Sequence, residues 1–249
     1  MSEREIREMI AANLEAVRER IVRAAQGAGR DPAEITLVAV SKTVEPARIL
    51  AAYELGQRVF GENRVEEAEE KLPQLAQTIA GRGGPAPEWH LIGHLQSRKS
   101  ARALELFDLI HSVDSVHLAQ RLSRQAGELG RVAPVLLELN VSGEESKYGF
   151  PASAAGHEAA LLQAVAEIAA LPGVRVRGLM TVAPLGEDPE QARPYFQRLR
   201  AWRDRLAREF PGCGWDQLSM GMSDDFEVAI AEGATMVRLG RAIFGPRPA

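Results

Sequence analysis

Apolar positions change their spacing once along the chain, and the change sets the expected architecture. Ile6, Ile10, Leu14, Val17 and Ile21 recur at intervals of three and four between charged residues. That spacing gives a helix one apolar face, and Gly27 and Gly29 end it. Beyond it, short apolar runs alternate with longer helical patterns. The runs at 36–40, 58–60, 89–92, 109–112, 135–140, 174–179, 217–220 and 236–239 read as strands. Helical spacing fills 46–55, 64–79, 116–130, 154–171, 189–210 and 225–232 between them. Strands alternating with helices imply a parallel sheet covered on both faces, in which strands read as continuous apolar runs.

Eight strand candidates point to a closed barrel. An open doubly wound sheet is the alternative, but its G-x-G-x-x-G signal after the first strand is missing; Val40-Ser41-Lys42-Thr43 stands there instead. The expected fold class is therefore α/β, a single (β/α)8 TIM-type barrel with an extra N-terminal helix in residues 1–30. The length of 249 residues is usual for one such barrel. Neither a composition shift nor a fixed-period repeat divides the chain, so one domain is expected over 1–249. Segments 81–87 (G-R-G-G-P-A-P) and 142–153 read as exposed loops.

Composition narrows the setting. Hydrophobic residues make up 45% and charged residues 26%, ordinary for a soluble domain with a sizeable core. A formal net charge of −4, with scattered Lys and Arg, leaves no basic footprint for nucleic acid or an anionic membrane. The single cysteine, Cys213, excludes an intramolecular disulfide and fits a reducing compartment. Segment 159–171 is too short to span a bilayer and contains Glu167. With no secretory apolar region at the start, the cytoplasm is the expected location.

On a barrel, residues at the C-terminal ends of the strands form the functional face. Lys42 follows the first strand, Asn63 the second, and His90 to Gln96 cover the third. Asn140 ends the fifth and Met180-Thr181 the sixth. Ser219-Met220-Gly221-Met222-Ser223 ends the seventh, and Arg238-Leu239-Gly240-Arg241 the eighth. Barrels commonly bind phosphate after their last two strands. There Gly221 lets backbone approach a ligand, Ser219 and Ser223 offer hydroxyls, and Gly240 with the Arg241 amide supplies a second half of a cup. Asp224 followed by Glu227 reads as a capping pair opening the next helix. Ser and Gly as plain turn formers is the competing reading.

Lys42 is either a solvated lysine or, partly desolvated at the barrel mouth, an amine suited to Schiff-base chemistry with a carbonyl cofactor. Arg238 either binds a carboxylate such as Glu62 or Glu138, or serves as a fixed cation beside a cofactor. Spacing leaves both open. His90 and His94 straddle a strand and a loop with no third ligand of matching spacing, so no metal site is expected. His111 and His117 read as rim or surface residues. Cys213 has no paired histidine, and no G-x-S-x-G elbow is present.

Val40-Ser41-Lys42-Thr43, Gly61-Glu62-Asn63, Trp89-His90-Leu91-Ile92-Gly93 with Leu95-Gln96-Ser97, and Ser219-Met220-Gly221-Met222-Ser223-Asp224-Asp225 together resemble the pyridoxal-phosphate homeostasis protein family. Val237-Arg238-Leu239-Gly240 with Ala242-Ile243-Phe244-Gly245 matches as well, and the register holds from about residue 5 to 247. The resemblance implies pyridoxal 5′-phosphate held as an internal aldimine on Lys42, with Asn63 near its ring. It implies Ser219, Met220, Ser223, Gly240 and Arg241 around its phosphate, and Arg238 facing the pyridine nitrogen. His94 and Arg98 stand where some members have Pro and Asn, which leaves their roles open.

The resemblance further implies a cytoplasmic carrier or buffer of the cofactor, with no catalytic residue and with cofactor-dependent apo-enzymes as possible acceptors. A monomer is expected. The alternative is an amino-acid racemase of low activity. Racemisation needs a second acid/base group opposite the lysine; the similar racemases take it from an added domain, for which a chain ending at Ala249 leaves no room. Of the three tyrosines, Tyr53 and Tyr195 fall in helices, so only Tyr148 could reach the site. An arginine at the ring nitrogen also weakens the ring as an electron sink. Positioned proton transfer contributes on the order of 10²–10⁴-fold, so a missing second base is costly. A sugar-phosphate isomerase, a third reading, needs Glu62 or Glu138 as base.

Overall fold

The computed structural model describes residues 2–184 and 186–246, so the expected span 1–249 and the matched end at 247 reach beyond the described residues. Helix α1 (Glu3–Gly27) opens with a capping box: the Glu5 amide donates to Ser2 Oγ at 3.3 Å, and the Ser2 amide donates to Glu5 Oε2 at 2.6 Å. Its apolar stripe of Ile10, Leu14, Val17, Ile21 and Ala25 is buried. The stripe lies against α2 (Pro46–Glu54), and also against α8 (Phe226–Ala231) and α9 (Arg241–Phe244) near the end of the chain. Arg20 adds a bidentate pair to Glu227 of α8 at 2.8 and 2.9 Å. The extra helix therefore ties the beginning of the chain to its end.

The strands are β1 (Thr36–Val40), β2 (Val59–Glu62), β3 (Glu88–Leu91), β4 (Leu109–Val113), β5 (Ala133–Asn140), β6 (Phe150–Pro151), β7 (Val174–Met180), β8 (Gln217–Ser219) and β9 (Met236–Leu239). Every pairing is parallel. β1 pairs with both β2 and β9, and β4 pairs with β5, so eight strands close into a ring. The two-residue β6 sits outside the ring, on β5. Helices α3 (Val65–Gly81), α4 (Ser100–Leu106), α5 (Val116–Glu128), α6 (Glu158–Ala169) and α7 (Arg193–Glu209) complete the outer layer. Among the described residues no helix is long and apolar enough to cross a membrane.

The expected eight-stranded barrel with its added helix is the observed fold. Two elements differ from expectation. Segment 142–153 is not wholly an exposed loop, because it contains β6 and buries Phe150 and Ala152. Helix α4 carries no predicted counterpart, since seven residues give too little periodicity to register.

Strand alternation sends one set of side chains outward and the other into the barrel. Val38, Leu109, Leu136, Met180 and Met236 form a small cluster of their own inside the ring. Two residues onward, the same inward register carries Val40 on β1, Glu138 on β5 and Arg238 on β9, and Lys42 lies in the turn after β1.

If α1 is integral to the fold, Leu14→Ala should lower the urea unfolding free energy by roughly 2–5 kcal/mol, the usual cost of emptying a buried leucine site. A loss under about 1 kcal/mol would show that α1 contributes little to the barrel's stability.

Candidate functional site

The turn after β1 is braced from behind. The Ser41 amide donates to Gly61 O at 2.9 Å and extends the β1–β2 ladder, while the Val44 amide donates to Ser41 O at 3.0 Å. Thr43, in the left-handed region at φ 60°, donates its amide to Glu67 Oε1 at 2.5 Å. Lys71 of α3 donates to Ser41 O at 2.7 Å and contacts Glu62 and Glu67 at 2.8 Å each. Ser41 Oγ also donates to Glu62 Oε1 at 2.6 Å. Glu62 is fully buried there, and burial raises its pKa against the opposing pull of Lys71 and Ser41. This cluster fixes the peptide on either side of the half-buried Lys42. It also commits Glu62 to the outer side of β2, away from Arg238.

Arg238, 4% exposed, lies inside the barrel. Nη1 donates to Ser219 Oγ at 2.6 Å and Nη2 donates to the Thr181 carbonyl at 2.9 Å. Burial pulls its pKa down to about 10, against the attraction of Glu138 and Asp225. At neutral pH it remains a cation. Neither Glu62 nor Glu138 forms an ion pair with it, so the carboxylate-clamp reading does not describe it. Below it, Ser219 Oγ lies 2.9 Å from His111 Nδ1, and His111 Nε2 lies 2.9 Å from His90 Nδ1. His90 Nε2 reaches Glu88 Oε1 at 2.8 Å. His111 is completely buried, which corrects its expected rim position; desolvation and the nearby His90 and Arg238 drive its pKa well below the usual imidazole range.

The loops after β8 and β9 shape the rim. A side chain on Gly221 (φ +93°) would put its Cβ 2.6 Å from that of Ala229 and 3.0 Å from Phe226 Cα, so glycine is required where the loop presses on α8. The Gly221 carbonyl accepts from the Arg238 amide at 3.0 Å. The predicted Asp224–Glu227 capping pair does not form. Asp224 instead accepts from Arg241 at 2.5 Å, Asp225 accepts from the Met222 amide at 2.6 Å, and Glu227 faces Arg20. Neutralising Asp224 with Arg241 and turning Asp225 into its own loop lessen the repulsion an anion would meet here. Helix α9 begins beside Gly240, whose carbonyl accepts from the Ile243 and Phe244 amides at 3.0 and 2.9 Å, so the amides that precede these at the helix start are the ones a ligand can use.

Across the ring from Lys42, β5 carries Glu138, 8% exposed, whose pKa burial and Asp114 raise to about 7 although Arg238 opposes them. His94 Nδ1 contacts Asp114 at 3.0 Å, and its ring stacks on the exposed Tyr148 with centroids 3.8 Å apart. Asn140 organises the loop beneath Tyr148: its Nδ2 donates to Glu144 O at 2.8 Å, and its Oδ1 accepts from the Gly143 amide at 2.9 Å.

Lys42, Asn63, Ser223, Gly240 and Arg241 thus lie at the strand ends or the loops that follow them. Ser219 and Met220 behave differently from a simple rim pair. The Ser219 hydroxyl is committed inward to Arg238 and His111, and the Met220 side chain is buried in the main core, leaving its backbone to face the rim. The sequence puts His90 and Thr181 at strand ends but does not link them, or Glu88 and His111, to Arg238. The one available signal was a histidine at an inward position of each of two adjacent strands.

Residues 12–248 match the family described as alanine racemase, N-terminal domain. The chain is 43% identical over 235 residues to the pyridoxal phosphate homeostasis protein of Aquifex aeolicus, covering 94% of this chain and 96% of that one. It is 43% identical over 239 residues to that of Escherichia coli, covering 96% and 97%. Among solved structures, PipY of Synechococcus elongatus with PLP bound has a TM-score of 0.80 at 39% identity, covering 95% of this chain and 100% of that one. An alanine racemase of Clostridium difficile, 15% identical with a TM-score of 0.68 over 97% of this chain and 58% of that one, shares the fold.

A carboxyl whose pKa is raised on folding stabilises the protein below its unfolded value, and that contribution disappears as pH rises through the folded value. For Glu138 the window runs from 4.5 to about 7, and the change is about 3 kcal/mol. Thermal melts of Glu138→Gln should therefore vary less across this window than wild type, and at pH 8 the variant should be the more stable. Parallel pH profiles for the two proteins would contradict the burial of an ionisable Glu138.

Proposed function

The chain belongs to the pyridoxal phosphate homeostasis protein family, and from that premise we propose that it binds pyridoxal 5′-phosphate at the C-terminal mouth of the barrel, as a Schiff base on Lys42. One juxtaposition carries the reading. Lys42 follows β1, Gly240 follows the adjacent β9, and the two chain segments touch: a Cβ on Gly240 would lie 3.3 Å from Val40 O. An imine-forming amine and the phosphate cup thereby share one edge of the rim.

The residues present fit the cofactor. Its phosphate would be held by the Ser223 hydroxyl, the backbone of Met220 to Ser223, and the Gly240 and Arg241 amides, while Ser219 would act on the site through Arg238. Asn63, just past β2, would lie beside the ring. Arg238 would face the pyridine nitrogen; a guanidinium can donate but not accept a hydrogen bond, so it would favour an unprotonated nitrogen. When bound, the cofactor supplies an aldehyde for reversible imine formation and, if its ring is protonated, an electron sink. Arg238 discourages the second property.

The protein accordingly keeps the cofactor without amino-acid turnover, as one binding unit over 1–249. It works as a cytoplasmic monomer that buffers pyridoxal phosphate or passes it to apo-enzymes. The stacking of Tyr148 on His94 supports this reading, since it occupies the one tyrosine that sequence placed within reach.

Reconstituted protein should absorb in the visible as a Schiff base, and Lys42→Ala should abolish the band. A wild-type protein that shows no such band after reconstitution would overturn the assignment. Loaded protein incubated with single L-amino acids in deuterated water should yield neither D-enantiomer nor deuterium at Cα; sustained exchange with many amino acids would contradict the carrier role.

A further inference from the structure

We infer that Glu88, His90 and His111 are positioning residues that, with Ser219, form a one-way hydrogen-bonded chain holding Arg238 in place from the opposite mouth of the barrel. The inference rests on the reading that Arg238 faces the cofactor ring.

The two ends fix the direction of every link. Arg238 can only donate, so its Nη1 donates to Ser219 Oγ at 2.6 Å. The Ser219 hydrogen is then free to be donated to His111 Nδ1 at 2.9 Å. With Nδ1 accepting, neutral His111 carries its proton on Nε2 and donates to His90 Nδ1 at 2.9 Å. His90 likewise donates from Nε2 to Glu88 Oε1 at 2.8 Å, and an ionised carboxylate can only accept. Every group in this arrangement is satisfied with both imidazoles neutral and in the Nε2–H form. The reverse polarity fails: Ser219 would accept from both Arg238 and His111, and its own hydrogen would have no acceptor within the chain.

Location gives the chain its consequence. Glu88 is the first residue of β3, and its side chain is 52% exposed at the N-terminal mouth. Ser219 and Arg238 stand at the ends of β8 and β9, where the cofactor binds. The charged and titratable groups around the chain are Glu88 and His90 on β3, His111 with the following Asp114 on β4, Glu138 on β5, Arg238 on β9, and Asp225 before α8. The hydrogen bond from His90 lowers the Glu88 pKa, and burial keeps His111 neutral. Each link fixes the polarity of the next, so removing the acceptor at Glu88 frees the His90 and His111 tautomers and loosens the Ser219–Arg238 contact at the other end.

Nitrogen-15 NMR of histidine-labelled, cofactor-free protein tests the chain directly. At pH 7 both His90 and His111 should show a protonated Nε2 and a bare Nδ1. An Nδ1–H form or an imidazolium at His111 would overturn the proposal. In protein loaded with pyridoxal phosphate, Glu88→Ala, which removes the acceptor at a half-exposed site, should weaken cofactor binding about fivefold and shift the pH midpoint of the visible band by roughly half a unit. An unchanged midpoint and affinity would show that Glu88 supports the strand alone. The labelling arm needs no cofactor, so the chain and the cofactor reading can fail separately.

Discussion

A guanidinium buried in the barrel without a carboxylate against it is the constraint on which the rest of the interior depends. Removing a charge from water is costly unless each donor finds a partner. Arg238 meets that demand with Ser219 Oγ and the Thr181 carbonyl, while Glu138 and Asp225 act only through their fields. Using Ser219 as an acceptor then requires an acceptor for its own hydrogen, and His111 provides it. A polar column thus stands where barrels usually carry layers of aliphatic side chains. The cation is bonded through both Nη atoms, stays charged near neutrality, and sits on the strand next to the one that leads to Lys42.

The two ends of the barrel serve different purposes. At the C-terminal mouth, backbone geometry dominates: the Lys42 turn is clamped by Glu67 and Lys71, and Gly221 allows its loop to press on α8. Acidic residues that would weaken an anion site are drawn aside, Asp224 by Arg241 and Asp225 by the Met222 amide. At the N-terminal mouth, Glu88 ends the column in solvent. Helix α1 closes the ring from outside by packing on α8 and α9, the helices that follow the loops after β8 and β9.

Much of this was legible in the sequence because parallel strands covered on both faces leave apolar runs, and β1 (Leu37 to Val40) and β5 (Val135 to Leu137) announce themselves that way, while β7 and β8, broken by polar residues, follow from the alternation with helices. Strand β6 did not, since two residues carry no periodicity. The capping reading of Asp224 was locally sound, but a tertiary partner, Arg241, outcompeted it. His111 was misread because a histidine in an apolar run looks the same whether it points to the rim or to the axis. The direction of the Ser219 hydroxyl depends on Arg238 and His111, distant in sequence, so no local pattern could reveal it. The placement of Lys42, Asn63, Ser223, Gly240 and Arg241 at one mouth was legible because strand ends on one face of a barrel converge whatever the detailed packing.

The claim that Lys42 is the cofactor-bearing residue can be tested by chemical trapping. Protein loaded with pyridoxal phosphate is reduced with borohydride, digested, and its peptides mapped by mass spectrometry. The structure predicts the phosphopyridoxyl adduct on the peptide containing Lys42. Labelling confined to another lysine, such as Lys147 or Lys99, with Lys42 unmodified, would contradict it.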